Sequence, residues 1–125
     1  RDYINIVQDL SAVTAACFMV RKQLYIDLLG FDEKLAVAFN DVDFCLKVRT
    51  AKYLIVYNPF VEAYHYESKS RGEDTENSEK QKRFAKEYEL FVKRWSKTIA
   101  KGDPYYNRNY RLDTDLPKIN YNKIW

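Results

Sequence analysis

The sequence predicts a mixed α/β fold in which a few strands are flanked by helices. Short apolar runs at residues 12–20 and 53–57 are typical of strands, whereas residues 78–100 carry apolar side chains at helical spacing. With 125 residues, the chain has the size of one domain and can bury a genuine core. No apolar run approaches the roughly twenty residues that a membrane helix needs.

The first predicted element is the run of residues 12–20, which is short and nearly continuously apolar, as in a strand buried on both faces. Residues 23–29 predict a short helix that ends at Gly30, because glycine readily adopts the left-handed conformation that follows a helix. The chain starts without a methionine and as if within an element. We therefore expect it to be a fragment.

The next predicted helix spans residues 40–51, with Asn40 as its N-cap. Asp43 follows three residues later, where a carboxylate can reach back to the N-cap amide. Residues 53–57 predict a strand, and the strict alternation of residues 61–66 predicts another. Strands and helices are therefore mixed along the chain.

The second half of the chain contains a polar loop, a long helix and a tail. Residues 68–77 are polar and aperiodic, so they predict a loop. Residues 78–100 predict an amphipathic helix, because their apolar side chains recur every three or four positions. These side chains are Phe84, Tyr88, Phe91, Trp95 and Ile99. We expect a body over residues 1–102 and an extended tail over residues 103–125, rich in Tyr and Asn, that packs on the body through its aromatic rings.

Composition narrows the function classes. The net charge of +3 arises from 21 basic and 18 acidic residues that are interspersed, so nucleic-acid binding is not indicated. Cys17 and Cys45 lie among apolar neighbours, which predicts reduced, buried thiols and a cytoplasmic location. Attachment to the inner face of a membrane stays open. The eleven tyrosines suit sugar stacking or ordinary packing.

Two carboxylates stand at the predicted start of the helix over residues 40–51. In a helix, Asp41 and Asp43 point roughly 200° apart, because each residue turns the chain by about 100°. They should therefore have separate tasks rather than bind one ion. Asp43 fits the capping role, whereas Asp41 can accept a proton from a substrate hydroxyl. The plainer alternative is that both only complement the positive end of the helix.

The chain's one histidine, His65, lies near the end of a predicted strand and leads into the polar loop. In that loop Ser68 and Ser70 supply hydroxyls, and Arg71 supplies a guanidinium that can bind phosphate through two hydrogen bonds. Together they could wrap a diphosphate. The alternatives are a histidine that serves only packing and an ordinary solvated loop.

Six segments resemble, in their order and spacing, the second half of bacterial family 2 glycosyltransferases, and above all the members that build cell-surface polysaccharides. The resemblance covers residues 13–109. Its segments are Thr14-Ala15-Ala16-Cys17, Gly30-Phe31-Asp32-Glu33, Asn40-Asp41-Val42-Asp43-Phe44, Tyr57-Asn58-Pro59-Phe60, His65-Tyr66-Glu67-Ser68-Lys69-Ser70-Arg71-Gly72 and Gly102-Asp103-Pro104-Tyr105-Tyr106-Asn107.

This resemblance implies the C-terminal half of a GT-A fold and inverting transfer of a sugar from a nucleotide-diphosphate donor to an acceptor hydroxyl. It implies Asp41 as the general base and His65 as a ligand of Mg²⁺ or Mn²⁺ in the intact enzyme. It places the loop residues Ser68, Ser70 and Arg71 over the donor diphosphate. The implied acceptor is a glycan or a lipid-linked glycan.

The family's nucleotide-binding strands and its metal-binding Asp-x-Asp belong to an N-terminal half that nothing in this chain replaces. We therefore expect the chain to be inactive alone, to need that half, and to self-associate through an unpaired edge or apolar surface. Asn40 stands where the family usually has Glu. The alternative function is a non-catalytic carbohydrate-binding or assembly module that stacks sugars on its tyrosines.

Overall fold

The computed structural model describes residues 5–64, 78–107, 109–111, 113 and 118–120. These residues combine helices with one small sheet, and none of their helices is long and apolar enough to cross a membrane. The α-helices are α1 (Lys22–Asp27), α2 (Asn40–Thr50) and α3 (Ser78–Ala100); the strands are β1 (Gln8–Asp9) and β2 (Val56–Tyr57); short 3₁₀ helices cover Ala15–Cys17 and Glu33–Leu35. The GT-A assignment stays a prediction.

Helix α1 begins one residue before the predicted helix over residues 23–29 and ends two residues earlier, and the turn after it reaches Gly30 as expected. Gly30 has a φ of +55°, and Leu29 before it is also left-handed with a φ of 60°. A Cβ atom at Gly30 would lie 2.7 Å from the ring of Tyr25. Glycine is therefore required here both for its conformation and for the close approach of the ring.

Helix α2 forms where it was predicted, but the prediction of its capping is wrong. The N-cap is Phe39, which is left-handed with a φ of 63° and makes no capping hydrogen bond through its side chain. The amide of Asp43 donates to the Phe39 carbonyl oxygen at 2.8 Å, which closes the first turn. Asn40 is thus inside the helix, and the Asp43 carboxylate faces α3 instead of the helix end.

The predicted strand over residues 12–20 is also wrong. The chain turns there into the 3₁₀ helix Ala15–Cys17, because the Thr14 hydroxyl accepts a hydrogen bond from the Ala16 amide at 3.3 Å. This local capping bond offers the backbone an alternative to pairing in a sheet. Cys17 is consequently exposed, which contradicts the prediction that its thiol is buried.

The small sheet differs from the prediction in extent and in partner. The predicted strand over residues 53–57 is shortened to β2, Val56–Tyr57. It pairs antiparallel with β1, a strand that was not predicted, in the register Gln8↔Tyr57 and Asp9↔Val56. Residues 61–64 form no strand. The rest of the predicted strand over 61–66 and the predicted loop over 68–77 lie outside the described residues.

Helix α3 has the predicted bounds and packs on α2 through its apolar stripe. One buried cluster of the core consists of Leu35, Leu46 and Phe91. The Phe39 ring stacks on the Phe91 ring, with centroids 5.0 Å apart and an interplanar angle of 18°. Trp95 packs against the same cluster. The long helix therefore covers the start of α2.

A second aromatic cluster lies around Phe44 on α2. Its ring centroid lies 6.1 Å from that of Phe18, 5.2 Å from that of Tyr25 and 5.6 Å from that of Phe31. Cys45, the next residue, is buried as predicted, and this burial raises the pKa of its thiol. Helix α2 is thus packed on one side against α3 and on the other against residues 18–31.

The start of the tail contacts the body through two side chains. The Ser11 hydroxyl donates to the Asp103 carboxylate at 2.5 Å. The guanidinium of Arg49 lies 5.1 Å from the centroid of the Tyr105 ring, a cation–π contact. An isolated bridge pairs Tyr110 with Ile119 farther along.

Candidate functional site

Asp41, the predicted general base, lies in the first turn of α2 and is partly buried. Its Oδ1 accepts a hydrogen bond from the Val42 amide at 2.8 Å, and its Oδ2 accepts one from the Ala15 amide at 3.3 Å. A carboxylate has about four lone-pair sites, so acceptor capacity remains on both oxygens. The side chain is therefore oriented by backbone amides, and each of its oxygens can accept a further hydrogen bond.

Asp43 has different partners from Asp41, as expected for two helical side chains that point in different directions. It is fully buried, and its Oδ1 accepts hydrogen bonds from Arg94 Nη1 and Trp95 Nε1, each at 2.8 Å. Lys47 Nζ lies 3.2 Å from its Oδ2. Asp43 is thus a structural anchor between α2 and α3 rather than a helix cap.

A second buried carboxylate joins α3 to the residues just before α2. Glu87 is 4% exposed, and its Oε2 accepts a hydrogen bond from the Ala38 amide at 2.6 Å. Sequence reasoning missed both Glu87 and the role of Arg94. The signal was present, because the spacing from Phe84 to Glu87, Phe91 and Arg94 is three, four and three. Glu87 and Arg94 therefore lie on the same face of α3 as the aromatic side chains.

Arg94 also binds Asp32, so one guanidinium connects two carboxylates. Its Nη2 lies 2.5 Å from Asp32 Oδ2, while Asp32 Oδ1 accepts a hydrogen bond from the Lys34 amide at 2.9 Å. The Arg94 hydrogen bond, helped by that amide, lowers the pKa of Asp32. Asp32 therefore holds the loop after Gly30 against α3.

Replacing Asp32 by Asn should cost about 1 kcal/mol of stability at neutral pH, because it removes a partly exposed ion pair. Asn can still accept from the Lys34 amide, so the difference reports the charge. The lowered pKa means that the native state binds fewer protons than the unfolded state. The wild-type advantage should shrink as pH falls below about 4 and vanish below the native pKa. Urea unfolding as a function of pH measures this, and a difference that persists in acid would contradict it.

The remaining predicted site residues, His65, Ser68, Ser70 and Arg71, lie outside the described residues. Their approach to Asp41 stays a prediction. In the part of the chain that the structure describes, no three His, Cys, Asp or Glu side chains are grouped so that they could hold a metal ion. The described residues therefore supply the candidate base but no metal site.

An open apolar groove of about 960 Å³ lies on the side of α2 away from α3. Its lining includes Phe18, Met19, Phe44, Val48 and Val56. The Met19 and Val56 side chains are exposed there. Because the lining is mostly apolar, the groove suits an apolar protein segment better than a charged nucleotide sugar.

Comparison with known proteins relates the chain to bacterial polysaccharide synthesis. Over 102 residues, 81% of this chain, it is 31% identical to the O-antigen biosynthesis protein RfbC of Myxococcus xanthus. Over 62 residues, 50% of this chain, it is 32% identical to the N-acetylglucosaminyl-diphospho-decaprenol L-rhamnosyltransferase of Mycobacterium tuberculosis. This region is glycosyltransferase-like. The shorter match has the same identity and extent in two strains of that organism.

The glycosyltransferase-like chain is also 46% identical, over 112 residues and 88% of its length, to the Sinorhizobium fredii protein named Uncharacterized protein y4gI. It spans 12% of that protein, 8% of the Myxococcus protein and 20% of the Mycobacterium protein. No family model matches the chain, and no solved structure matches it.

Proposed function

We propose that this chain is the base-bearing, acceptor-side part of an inverting glycosyltransferase of family 2 and GT-A fold. The complete enzyme would transfer a sugar from a nucleotide-diphosphate donor to a glycan or lipid-linked glycan in cell-surface polysaccharide synthesis. The observation that carries this proposal is the Asp41 carboxylate, oriented by two backbone amides at the start of α2. It lies in a chain related to an O-antigen biosynthesis protein and a rhamnosyltransferase.

The proposed reaction is a single displacement. The acceptor hydroxyl oxygen attacks the anomeric carbon of the donor while its proton passes to Asp41. The bond from that carbon to the diphosphate oxygen breaks, and the nucleoside diphosphate leaves with the bonding electrons. The Ala15 and Val42 amides keep the carboxylate in one orientation, which favours proton transfer in the transition state.

We also propose a metal site and a diphosphate site in the residues that follow β2 in sequence. His65 would bind Mg²⁺ or Mn²⁺, whose chemistry when bound is to offset charge on the departing diphosphate. The residues Ser68, Ser70 and Arg71 would bind the diphosphate itself. The Asp41 carboxylate and the buried Asp43 carboxylate have different partners, so they do not form a shared ligand pair for the ion. We assign neither of them to the metal.

We also propose that the N-terminal half of the same enzyme packs on the apolar groove. The groove has a mostly apolar lining, and the relatives that match this chain are five or more times longer than the matched region. Burial of such a surface stabilises an interface between parts of one chain. Self-association would then occur when that half is missing.

Replacing Asp41 by Asn in the complete protein should leave only a small residual rate of sugar transfer and spare donor binding. General-base catalysis contributes about 10²- to 10⁴-fold, so turnover should fall by at least that lower factor. Turnover is measured as nucleoside diphosphate released from a panel of nucleotide sugars with Mg²⁺ or Mn²⁺, and donor binding by calorimetry. The matched control is Asp27→Asn, at an exposed carboxylate on α1, which should keep full turnover.

Normal turnover in the Asp41→Asn protein would eliminate Asp41 as the base. Glycan binding by the wild-type protein without turnover of any nucleotide sugar would instead favour the non-catalytic carbohydrate-binding module.

A further inference from the structure

The backbone that leads into α2 is attached to α3 by the Glu87 carboxylate. This group is almost completely buried, and its Oε2 lies 2.6 Å from the Ala38 amide nitrogen, which donates to it. Its Oε1 lies 3.8 Å from Arg83 Nε. A short hydrogen bond from a backbone amide to a buried carboxylate is among the stronger ones in proteins. The position of Ala38 is therefore tied to α3.

The next residue, Phe39, is held in a conformation that a phenylalanine rarely adopts. Its φ of 63° is left-handed, an unfavourable conformation that persists in a non-glycine residue only where the surrounding structure enforces it. Its ring is packed against α3, with centroids 5.0 Å from Phe91, 5.4 Å from Phe84 and 6.0 Å from Tyr88. Helix α3 thus fixes both the Val37–Ala38 peptide, through the Ala38 amide, and the Phe39 side chain.

This conformation determines where α2 begins. The Phe39 carbonyl oxygen accepts the first helical hydrogen bond, from the Asp43 amide, and Asp41 lies only two residues after Phe39. A shift of the backbone at Ala38 would therefore move Phe39 and the first turn of α2. Asp41 would then lose its alignment with the Ala15 amide, 26 positions away in sequence.

We propose that Glu87 is a positioning residue for Asp41: it holds the Ala38 amide so that the left-handed turn at Phe39 aims the carboxylate into the site. This inference rests on the proposed function, in which Asp41 is the base. Glu87 does not itself touch substrate. A role in stability alone would reduce the amount of folded enzyme but would leave the turnover number and the KM of the folded fraction unchanged.

The test compares substitutions of Glu87 in the complete protein, using the nucleotide sugar that supports turnover. In Glu87→Leu, which removes the acceptor, kcat per folded enzyme should fall about 10- to 100-fold while the donor KM changes by less than about twofold. Glu87→Gln keeps an oxygen for the Ala38 amide and should recover most of kcat. The matched control Glu89→Gln, at an exposed position of α3, should match the wild type.

The decisive measurement combines each change with Asp41→Asn. If Glu87 acts through Asp41, Glu87→Leu should cause no further loss of kcat in that background, because coupled residues are not additive. An equal loss in both backgrounds, or a normal kcat in folded Glu87→Leu, would overturn the inference. If Glu87→Leu does not fold, Glu87→Asp decides by the same criteria, since it keeps the charge but shortens the side chain by one methylene.

Failure of this inference and failure of the proposed function give different results. If Asp41→Asn is inactive and Glu87→Leu is fully active, only the positioning role is wrong. If Asp41→Asn keeps its turnover, the base assignment is wrong, and the positioning role is overturned with it.

Discussion

Replacing Asp43 by Ala should lower the free energy of unfolding by about 1.5–3 kcal/mol, because the buried carboxylate accepts hydrogen bonds from a guanidinium and an indole that both lose this acceptor. Asp43 is fully buried, and its Oδ1 accepts hydrogen bonds from both Arg94 and Trp95. Arg94 would retain Asp32, but the Trp95 indole would lose the acceptor that Asp43 provides. An unsatisfied buried donor carries its desolvation cost in full.

Denaturant unfolding, followed by circular dichroism, measures this loss in the complete protein. The matched control Asp27→Ala removes an exposed aspartate whose carboxylate accepts one hydrogen bond from Gln23 on the same helix. It should change stability by less than about 0.5 kcal/mol. Asp43→Asn keeps an acceptor oxygen and should fall between the two. If Asp43→Ala is no more destabilising than Asp27→Ala, the anchor between α2 and α3 is not formed in solution.

Replacing Phe44 by Ala should also cost about 3–5 kcal/mol, through lost burial and the cavity that remains. Phe44 is 2% exposed, and its ring contacts the rings of Phe18, Tyr25 and Phe31. The pair with Phe31 is edge-to-face, a favourable geometry between aromatic rings that adds to the free energy of burying their surface. The loss should therefore reach the upper part of the range for a core phenylalanine.

The chain offers a matched control in Phe60, which is 81% exposed. Phe60→Ala should change stability by less than about 0.5 kcal/mol, and Phe44→Leu, which retains most of the volume, should cost less than about 1.5 kcal/mol. Equal losses for Phe44→Ala and Phe60→Ala in a denaturant titration would show that the cluster around Phe44 is not a core.

The two anchors of α3 explain why a long helix far along the chain matters for the candidate site. Asp43 and Glu87 connect α3 to the first turn of α2 and to the residue just before its N-cap, respectively. Both are acidic side chains in a buried interface, so each is held by donors rather than by apolar contact alone. The direction of Asp41 therefore depends on residues about fifty positions away.

The sequence by itself determined the features that arise from local interactions. The bounds of α2 and α3, the turn at Gly30 and the position of Asp41 in the first turn of α2 were all predicted. Helical hydrogen bonds and side-chain contacts join residues three or four positions apart, so the pattern that specifies a helix is contained within it. A glycine after a helix is a signal of the same local kind.

Tertiary structure alone decided the features that depend on distant partners. Contacts between residues 26 to 52 positions apart set three features of the site. These are the left-handed conformation of Phe39, the hydrogen bonds of the buried Asp43 carboxylate to α3, and the hydrogen bond from the Ala15 amide to Asp41. The pairing of β1 with β2 has the same origin, because a strand is specified by its neighbour as much as by its own residues. Such contacts form only when apolar faces are buried together, and a local pattern does not state which faces will meet.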